Sequence, residues 1–227
     1  YRYDEDSIRF FSHIHAWQLS GIPVMPLTGT FKGHLGAEVY GSAYSHDTEV
    51  VRPGYHSVFL DSYGIRAELT STTRVGFHRY SYPASDEKYL LIDLGTILGP
   101  CGTEKGCARR VGNMQIEGWA LMAATRRRPK ATFVYYVIEF DTPFSEMKAW
   151  KDEALLGACE TFEDSGGGVY VNFEEKGAQP IQMKVAISYV SSEQAQLNME
   201  SELPHWEFDR VAGESFRQWD NMLSRIR

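Results

Sequence analysis

The chain has 227 residues, a formal net charge of −7 and 43% hydrophobic residues. This length suffices to bury the core of one large β domain or two small ones. The acidic balance argues against a nucleic-acid partner, which requires a basic footprint, and is unfavourable for anionic membranes. No stretch approaches the ~18 apolar residues that span a bilayer.

Eight segments alternate with period two and carry β-branched or aromatic residues, the pattern of strands with one buried face. They are residues 55–60, 65–72, 74–82, 89–94, 113–123, 132–141, 168–173 and 181–190. Turn signals rich in Gly and Pro separate them, and almost no helix is predicted before residue 191. This organisation predicts an all-β fold, a large antiparallel β-sandwich.

Residues 95–106 are predicted to connect two strands, and they include Cys101. The spacing of Cys101 and Cys107 suits a small disulfide loop, and two unreactive thiols are the equal alternative. No His or Cys pair at zinc-ligand spacing accompanies them. Cys159 has no obvious partner and is predicted to be a small buried residue.

Two charged runs are predicted to be solvated turns. Residues 123–130 contain the one basic cluster, for which a hairpin loop is favoured and a phosphate or acidic-glycan contact is the alternative. Asp4, Glu5 and Asp6 form an acidic run that does not match the Asp-x-Asp-x-Asp-Gly calcium loop. Calcium requires six to eight oxygen ligands, so a polar turn is preferred there.

Helices are predicted after residue 190. Ser191 followed by Gln194 is a capping-box pattern that opens a helix, and Pro204 interrupts it. A second helix carries an apolar stripe of Phe208, Val211, Ala212, Trp219, Met222, Leu223 and Ile226. Such a stripe requires a partner surface, either the sandwich or another domain.

The first candidate site is His13, His15 and Trp17. In an extended segment these side chains share one face, because residues i, i+2 and i+4 point the same way. Trp offers a flat apolar platform to a sugar and imidazole nitrogens bind hydroxyl groups, whereas the alternative is that all three are packed and satisfied by backbone groups. The two His residues alone make an incomplete metal site.

A second group, Glu68 with Arg74, His78 and Arg79, lies on neighbouring predicted strands. Charge pairing across the hairpin is the preferred interpretation. Glycoside hydrolysis requires two carboxylates flanking the bond, and the sequence places no second acid opposite Glu68.

Residues 45–83 are the most distinctive stretch, with the runs Ser45-His46-Asp47, Arg52-Pro53-Gly54-Tyr55-His56 and Arg74-Val75-Gly76-Phe77-His78-Arg79. Further segments outside it are Asp4-Glu5-Asp6-Ser7, Phe11-Ser12-His13-Ile14-His15, Met25-Pro26-Leu27-Thr28-Gly29 and Val185-Ala186-Ile187-Ser188-Tyr189. Together they resemble the N-terminal domain of glycoside hydrolase family 92, the calcium-dependent exo-acting α-mannosidases. The similarity is loose over residues 95–177. Residues 16–21 depart from the Gly-rich turn of many members, which leaves the linkage preference open.

The resemblance implies a galactose-mutarotase-like supersandwich over residues 1–190 and a helical linker over residues 191–227. The linker would lead to an (α/α)6 barrel that carries the catalytic carboxylates and binds the calcium. The implied activity is that of an inverting exo-α-mannosidase, of α-1,2 type, acting on mannose-containing glycans in the periplasm or outside the cell. The resemblance also implies that His13, His15 and Trp17 contact the sugar and that Asp4 and Asp6 shape the pocket wall.

The chain starts without Met, in what reads as the middle of an element, so it is expected to be an excised fragment. The resemblance places the catalytic groups in the barrel, which implies that the fragment alone is inactive. One alternative is a non-catalytic carbohydrate-binding or structural module. Another is a sugar-ring-acting enzyme such as an epimerase, which would need a His and carboxylate pair converging on the sheet.

Overall fold

The computed structural model describes residues 4–13, 21–84, 87–97, 101–174, 177 and 179–225. Sixteen strands lie in this part of the chain: β1 Ser7–Ile8, β2 Val24–Thr28, β3 Ser42–Ala43, β4 Val50–Arg52, β5 Tyr55–Leu60, β6 Ile65–Ser71, β7 Val75–Ser81, β8 Lys88–Asp93, β9 Thr103–Val111, β10 Gln115–Met122, β11 Thr132–Phe140, β12 Phe144–Lys151, β13 Ala154–Ala158, β14 Thr161–Asp164, β15 Gly167–Phe173 and β16 Ile181–Ser188. The α-helices are α1 Ala37–Tyr40, α2 Ser192–Glu202 and α3 Phe208–Leu223.

The strands form two large antiparallel sheets and one short pair. The nine-stranded sheet has the order β14-β9-β10-β11-β16-β7-β6-β5-β4, the five-stranded sheet the order β13-β12-β15-β8-β2, and β1 pairs with β3. The main core contains side chains of both large sheets, among them Tyr80, Ile116 and Val185 from one and Leu90, Trp150 and Val171 from the other. The predicted antiparallel β-sandwich is therefore confirmed.

Alternation along β7 sends its side chains to two different environments. Tyr80 packs in the core between the sheets, whereas Val75 and Phe77 belong to a second apolar cluster on the opposite face. That second cluster is completed by α2 and α3, through residues such as Met199 and Phe208. The nine-stranded sheet is thus covered by the second sheet on one face and, in part, by the two helices on the other.

Each of the eight predicted segments contains a strand, but the other eight strands were not predicted: β1, β2, β3, β4, β9, β12, β13 and β14. Strand β9 begins at Thr103, so the prediction of a connection over residues 95–106 was wrong for its last part. Charged residues on β9 hide the alternation, and Gly106 reads as a turn signal. Packing requires a glycine at position 106, because a Cβ there would lie 2.6 Å from the Leu94 Cβ.

The three cysteines are free thiols, with Cys101 and Cys107 buried and Cys159 partly buried. Cys107 stands on β9, four residues after its first residue, so the extended backbone carries it away from Cys101 by about 3.4 Å per residue. The prediction left a Cys101–Cys107 disulfide and two thiols as equal alternatives, and the structure contains the two thiols.

Helix α2 begins and ends where the Ser191 capping pattern and Pro204 predict. The Ser191 hydroxyl accepts a hydrogen bond from the Gln194 amide at 3.1 Å, and α2 ends two residues before Pro204. The basic residues 126–130 lie in the loop between β10 and β11, where Arg128 donates to the Ala123 carbonyl. No helix in the described ranges has the length and hydropathy needed to cross a membrane.

The charge pairing predicted for the β6–β7 hairpin is confirmed for one pair. Arg79 donates to both carboxylate oxygens of Glu68 at 2.8 Å, and it also binds Asp209 of α3. Arg74 instead binds Glu202 of α2. His78 is buried and takes no part in these ion pairs.

Candidate functional site

Two adjoining cavities lie where the segment before β1 and the residues after it cross the nine-stranded sheet. The smaller, about 450 Å³, is lined by residues of β4 to β7 and by His13. The larger, about 720 Å³, is lined by residues 4–12 and by residues near β4 and β5. Both are bordered by Ser12, Val51, His56 and Leu69, so the two cavities lie side by side.

His13 is held against the smaller cavity by backbone pairing. Phe11 forms an antiparallel bridge with Val24, and the His13 amide donates to the Gly21 carbonyl at 3.0 Å. The His13 Nδ1 lies 2.9 Å from the Ile22 carbonyl. Ile22 has a φ of 43°, a costly conformation for a β-branched residue, which orients this carbonyl for the contact.

A chain of hydrogen bonds continues from His13 into β7. The His13 Nε2 lies 3.0 Å from the His78 Nε2, and the His78 Nδ1 lies 2.6 Å from the Tyr80 hydroxyl. Because the Ile22 carbonyl can only accept, His13 carries its proton on Nδ1. Its Nε2 then accepts from the His78 Nε2–H, and the Tyr80 hydroxyl donates to the His78 Nδ1. One arrangement of protons therefore satisfies all four groups.

Burial keeps this chain of groups neutral. It lowers the pKa of His13 to about 4 and that of His78 well below its usual value, to which the nearby His13 also contributes. The pKa of the Tyr80 hydroxyl is raised by burial as well. With both nitrogens engaged, His13 presents its ring surface to the cavity, and the hydroxyl-binding role predicted for its nitrogens does not fit this arrangement.

Gly76 makes room for the His13 ring. A Cβ at Gly76 would lie 2.8 Å from the His13 Cδ2 and 3.4 Å from the His78 Nε2. The two imidazole rings stack with their centroids 4.9 Å apart. The glycine in the Arg74-Val75-Gly76-Phe77 run is therefore explained by this close approach.

Asp4 and Asp6 lie in the wall of the larger cavity, exposed to solvent. Their segment is anchored through its backbone, because the Tyr44 amide donates to the Asp6 carbonyl at 3.0 Å and the Tyr44 hydroxyl donates to the Glu5 carbonyl at 2.9 Å. The acidic turn thus borders the larger cavity and His13 the neighbouring smaller one. His15 and Trp17, the other two predicted sugar contacts, lie outside the described residues.

The sequence interpretation missed the group around Glu49. This carboxylate, with its side chain 4% exposed, binds the His46 Nδ1 at 2.6 Å through one oxygen and the His56 Nε2 at 2.8 Å through the other. Glu49 lines the larger cavity and His56 lines both. The available signal was the presence of two His residues within the distinctive stretch, but spacing alone does not place Glu49 between them.

Among the described residues, no group of three or more His, Cys, Asp or Glu side chains is arranged to bind a metal ion. The acidic side chains bordering the larger cavity are adjacent ones on the turn before β1 and Glu49, whose oxygens are engaged by imidazoles. This donor set does not fit calcium, which requires several converging oxygens.

Known structures share this fold. The family GH92 alpha-mannosidase BT3965 from Bacteroides thetaiotaomicron is 26% identical, with a TM-score of 0.87 over 99% of this chain and 31% of that one. The gh92 family glycosyl hydrolase ccman5 is 25% identical, with a TM-score of 0.86 over 99% of this chain and 32% of that one. The inverting mannosidase BT2199 from Bacteroides thetaiotaomicron VPI-5482, at 22% identity and a TM-score of 0.86, shows the same fold over 99% of this chain and 30% of that one.

This chain therefore spans about a third of the length of these proteins. A search of curated proteins found no match. Residues 1–188 match the Glycosyl hydrolase family 92 N-terminal domain. Since this match covers most of the 227 residues, and the sandwich is the one seen in the family's solved structures, the chain belongs to glycosyl hydrolase family 92.

Proposed function

We propose that this chain is the N-terminal sandwich domain of an exo-α-mannosidase and that its two neighbouring cavities form part of the pocket for a terminal mannose. The observation that carries the proposal is that His13 lines one of these neighbouring cavities while Asp4 and Asp6 line the other. These residues come from the segments that resemble the family. The membership in family 92 and the similarity to an alpha-mannosidase over 99% of the chain support the activity class.

Catalysis would then depend on residues outside this chain. An inverting glycosidase requires an acid and a base on opposite sides of the glycosidic bond, about 6.5–9.5 Å apart so that a water molecule fits between them. Asp4, Glu5 and Asp6 lie on one short segment, and Glu49 is engaged by His46 and His56. We propose that the paired acids and the calcium belong to an (α/α)6 barrel domain, and that this chain contributes pocket wall.

Helices α2 and α3 provide a further argument that a second domain follows the sandwich. One face of α3 packs on the sheet through Phe208, Val211 and Ala212. Its later turns expose the large apolar side chains Phe216, Trp219, Met222 and Leu223. We propose that residues 191–227 link the sandwich of residues 1–190 to the barrel and that these exposed side chains pack against it, because a cluster of this kind is costly to leave in water.

The finer features of the activity are proposals of the same kind. They are an α-1,2 preference, inversion at the anomeric carbon, dependence on calcium, and a location in the periplasm or outside the cell. His15 and Trp17 are proposed to contact the sugar, and Trp17 would supply an apolar face for its C–H groups.

The test compares this chain with the whole protein encoded by its gene. We expect the whole protein to hydrolyse an aryl α-mannoside and an α-1,2-linked mannobiose, to lose activity with a chelator, and to release β-mannose as the first product seen by NMR. We expect the 227-residue chain alone to be inactive. Hydrolysis by the chain alone would overturn the assignment of catalysis to another domain.

A non-catalytic carbohydrate-binding or structural module is the alternative function, for which the engaged carboxylate of Glu49 would serve only to shape the cavity. If the whole protein binds mannose by calorimetry but hydrolyses no α-mannoside, this alternative replaces the enzyme.

A further inference from the structure

One wall of the 450 Å³ cavity is the turn between β6 and β7. Thr72, Thr73 and Arg74 of this turn line the cavity. Inside the hairpin, the Thr72 amide donates to the Val75 carbonyl at 2.9 Å. Turns of this kind are the parts of a sheet that open most readily, so their position depends on what else they contact.

The turn is bound by Glu202, the last residue of α2. One carboxylate oxygen of Glu202 accepts from the Thr72 hydroxyl at 2.6 Å and from the Arg74 amide at 2.9 Å. The other oxygen accepts from the Arg74 Nε. Three hydrogen bonds donated to one carboxylate therefore fix both ends of the turn, across about 130 residues of sequence.

The placement of Glu202 is unfavourable for its own helix. The C-terminal end of a helix carries partial negative charge, so a carboxylate there is destabilising and cations are preferred. Helix α2 has no basic residue in its last turn. Burial also opposes the charge on Glu202, yet the hydrogen bonds from Thr72 and Arg74 outweigh it and lower the pKa of this carboxyl. The contact with the turn is what explains an acid at this position.

A second turn of the same cavity also rests on the helices. Gly54, between β4 and β5, lines the cavity, and its carbonyl accepts from the Thr70 hydroxyl at 2.7 Å. Its φ is +75°, and a Cβ there would lie 2.4 Å from the Ser215 hydroxyl oxygen of α3. Both turns bordering the cavity are thus packed against α2 or α3.

We propose that Glu202 is a positioning residue for the sugar pocket: it fixes the Thr72–Arg74 turn to the end of α2, so that the linker helices set the shape of the cavity wall. This proposal rests on the proposed function, because the cavity is taken as part of the mannose pocket. It adds a role for a helix residue that touches no substrate.

The first measurement concerns the contact itself and uses the 227-residue chain. Amide hydrogen exchange is followed at Arg74 in the wild type, in Glu202→Ala and in Glu200→Ala. Glu200 is the matched control because it lies on the same helix, is exposed and accepts a hydrogen bond from Gln196 of the same helix at 2.9 Å. We expect exchange at Arg74 to accelerate about tenfold or more in Glu202→Ala and to stay unchanged in Glu200→Ala.

The second measurement concerns function and uses the whole protein acting on an aryl α-mannoside. We expect Glu202→Gln to raise KM about fivefold with little change in kcat, and Glu200→Gln to leave both constants unchanged. Thr72→Val removes one donor to Glu202, so in a double-mutant cycle its effect on kcat/KM and that of Glu202→Gln should be clearly less than additive. A residue that acted on stability alone would not produce this split and this coupling.

The outcomes separate the two proposals. Equal exchange at Arg74 in Glu202→Ala and Glu200→Ala overturns the positioning role, as does an active enzyme in which Glu202→Gln and Glu200→Gln have equal KM. A wild type that hydrolyses no α-mannoside overturns the proposed function instead, and the exchange comparison then still decides whether Glu202 fixes the turn.

Discussion

On one face of β7, His78 and Tyr80 join His13 in a chain of neutral hydrogen bonds. On the other face, Arg79 binds Glu68 and Asp209 through full charges, and its guanidinium lies 4.3 Å from the centre of the Phe208 ring. In the first network His78 and Tyr80 are buried and His13 is partly buried beside the cavity, whereas Asp209 in the second is largely exposed. Desolvating a charge costs several kcal/mol in a protein interior, so the buried network is neutral and the charged one lies where water still reaches.

The difference shows how one strand serves two purposes. Gly76 and His78 line the smaller cavity, and Tyr80 binds His78 from the core between the sheets. Val75, Phe77 and Arg79 contact the helices on the other face. Period-two alternation separates these tasks, since neighbouring side chains point to opposite faces.

The largest loss of stability is expected for a substitution on the face of β7 that packs against α2 and α3. Phe77→Ala removes a fully buried ring that packs against Trp206 and Phe208, and we expect it to lower the free energy of unfolding by about 3–5 kcal/mol in urea denaturation. Phe133→Ala is the control, because Phe133 is 40% exposed on the same sheet, and it should cost less than about 1 kcal/mol. Similar losses of stability for the two variants would contradict the placement of Phe77 in an apolar cluster between β7 and the two helices.

The next largest loss of stability is expected for a substitution on the opposite face of β7, which carries His78. Gly76→Ala places a methyl group 2.8 Å from the His13 Cδ2, so we expect a loss of about 2 kcal/mol and displacement of the His13 ring. Gly213→Ala in α3 is the control, because its nearest contact is the flexible Arg217 guanidinium at 3.6 Å. That substitution should stabilise the chain by up to about 1 kcal/mol, since alanine favours helix. In thermal unfolding, Gly76→Ala should have a lower Tm than the wild type and Gly213→Ala an equal or higher one.

A smaller effect is expected for the charged network. Arg79→Gln should cost about 1.5 kcal/mol at neutral pH, a value reduced by the solvent that reaches the ion pair. Lys105→Gln is the control, because the Lys105–Glu163 pair is about half exposed and should contribute almost nothing.

The loss in Arg79→Gln should also depend on pH. Burial opposes the charge on Glu68, but the bonds from Arg79 and Tyr55 lower the pKa of this carboxyl in the folded state. Its contribution is therefore present above the ordinary pKa of Glu and is lost as the pH falls through the folded value. The difference between wild type and Arg79→Gln should shrink in acid, and a difference that grows there would contradict the ion pair.

The smallest effect concerns the neutral chain of hydrogen bonds. Tyr80→Phe removes the donor to the His78 Nδ1, so we expect a loss of about 1 kcal/mol and a change in the ¹⁵N chemical shifts of the His78 ring. In the wild type these shifts should report a proton on the Nδ1 of His13 and on the Nε2 of His78. Tyr82→Phe is the control, because Tyr82 is equally buried but donates to the Tyr89 carbonyl. Identical His78 spectra in the two variants would refute the assigned proton arrangement.

Local patterns predicted much of the fold. The eight alternating segments all contain strands, and the Ser191 cap and Pro204 mark the helix boundaries as the structure has them. The strands without clear alternation were missed. In β13 every residue is exposed, so no buried face imposes a pattern, and in β9 glycine and charged residues interrupt it.

The site was predictable only in part. Asp4 and Asp6 line one cavity and His13 its neighbour, while their contact with a sugar stays a prediction. The pairing of Glu68 with Arg79 follows from their positions on neighbouring strands. The partner of His13 was not predictable, because His78 lies 65 residues away and was assigned to the charged group of the hairpin. The same holds for Glu49, which becomes the shared partner of two imidazoles only after β4 and β5 pair.

The amino-acid sequence by itself determined the class of fold, the helix boundaries and the family resemblance, because these depend on residue order and on local periodicity. The tertiary structure alone decided which face of β7 meets the cavity and which meets the helices. It also decided that Glu202 binds a turn far from it in sequence and that His13 is neutral with both nitrogens engaged. Contacts and burial between distant segments set these features, and no local pattern encodes them.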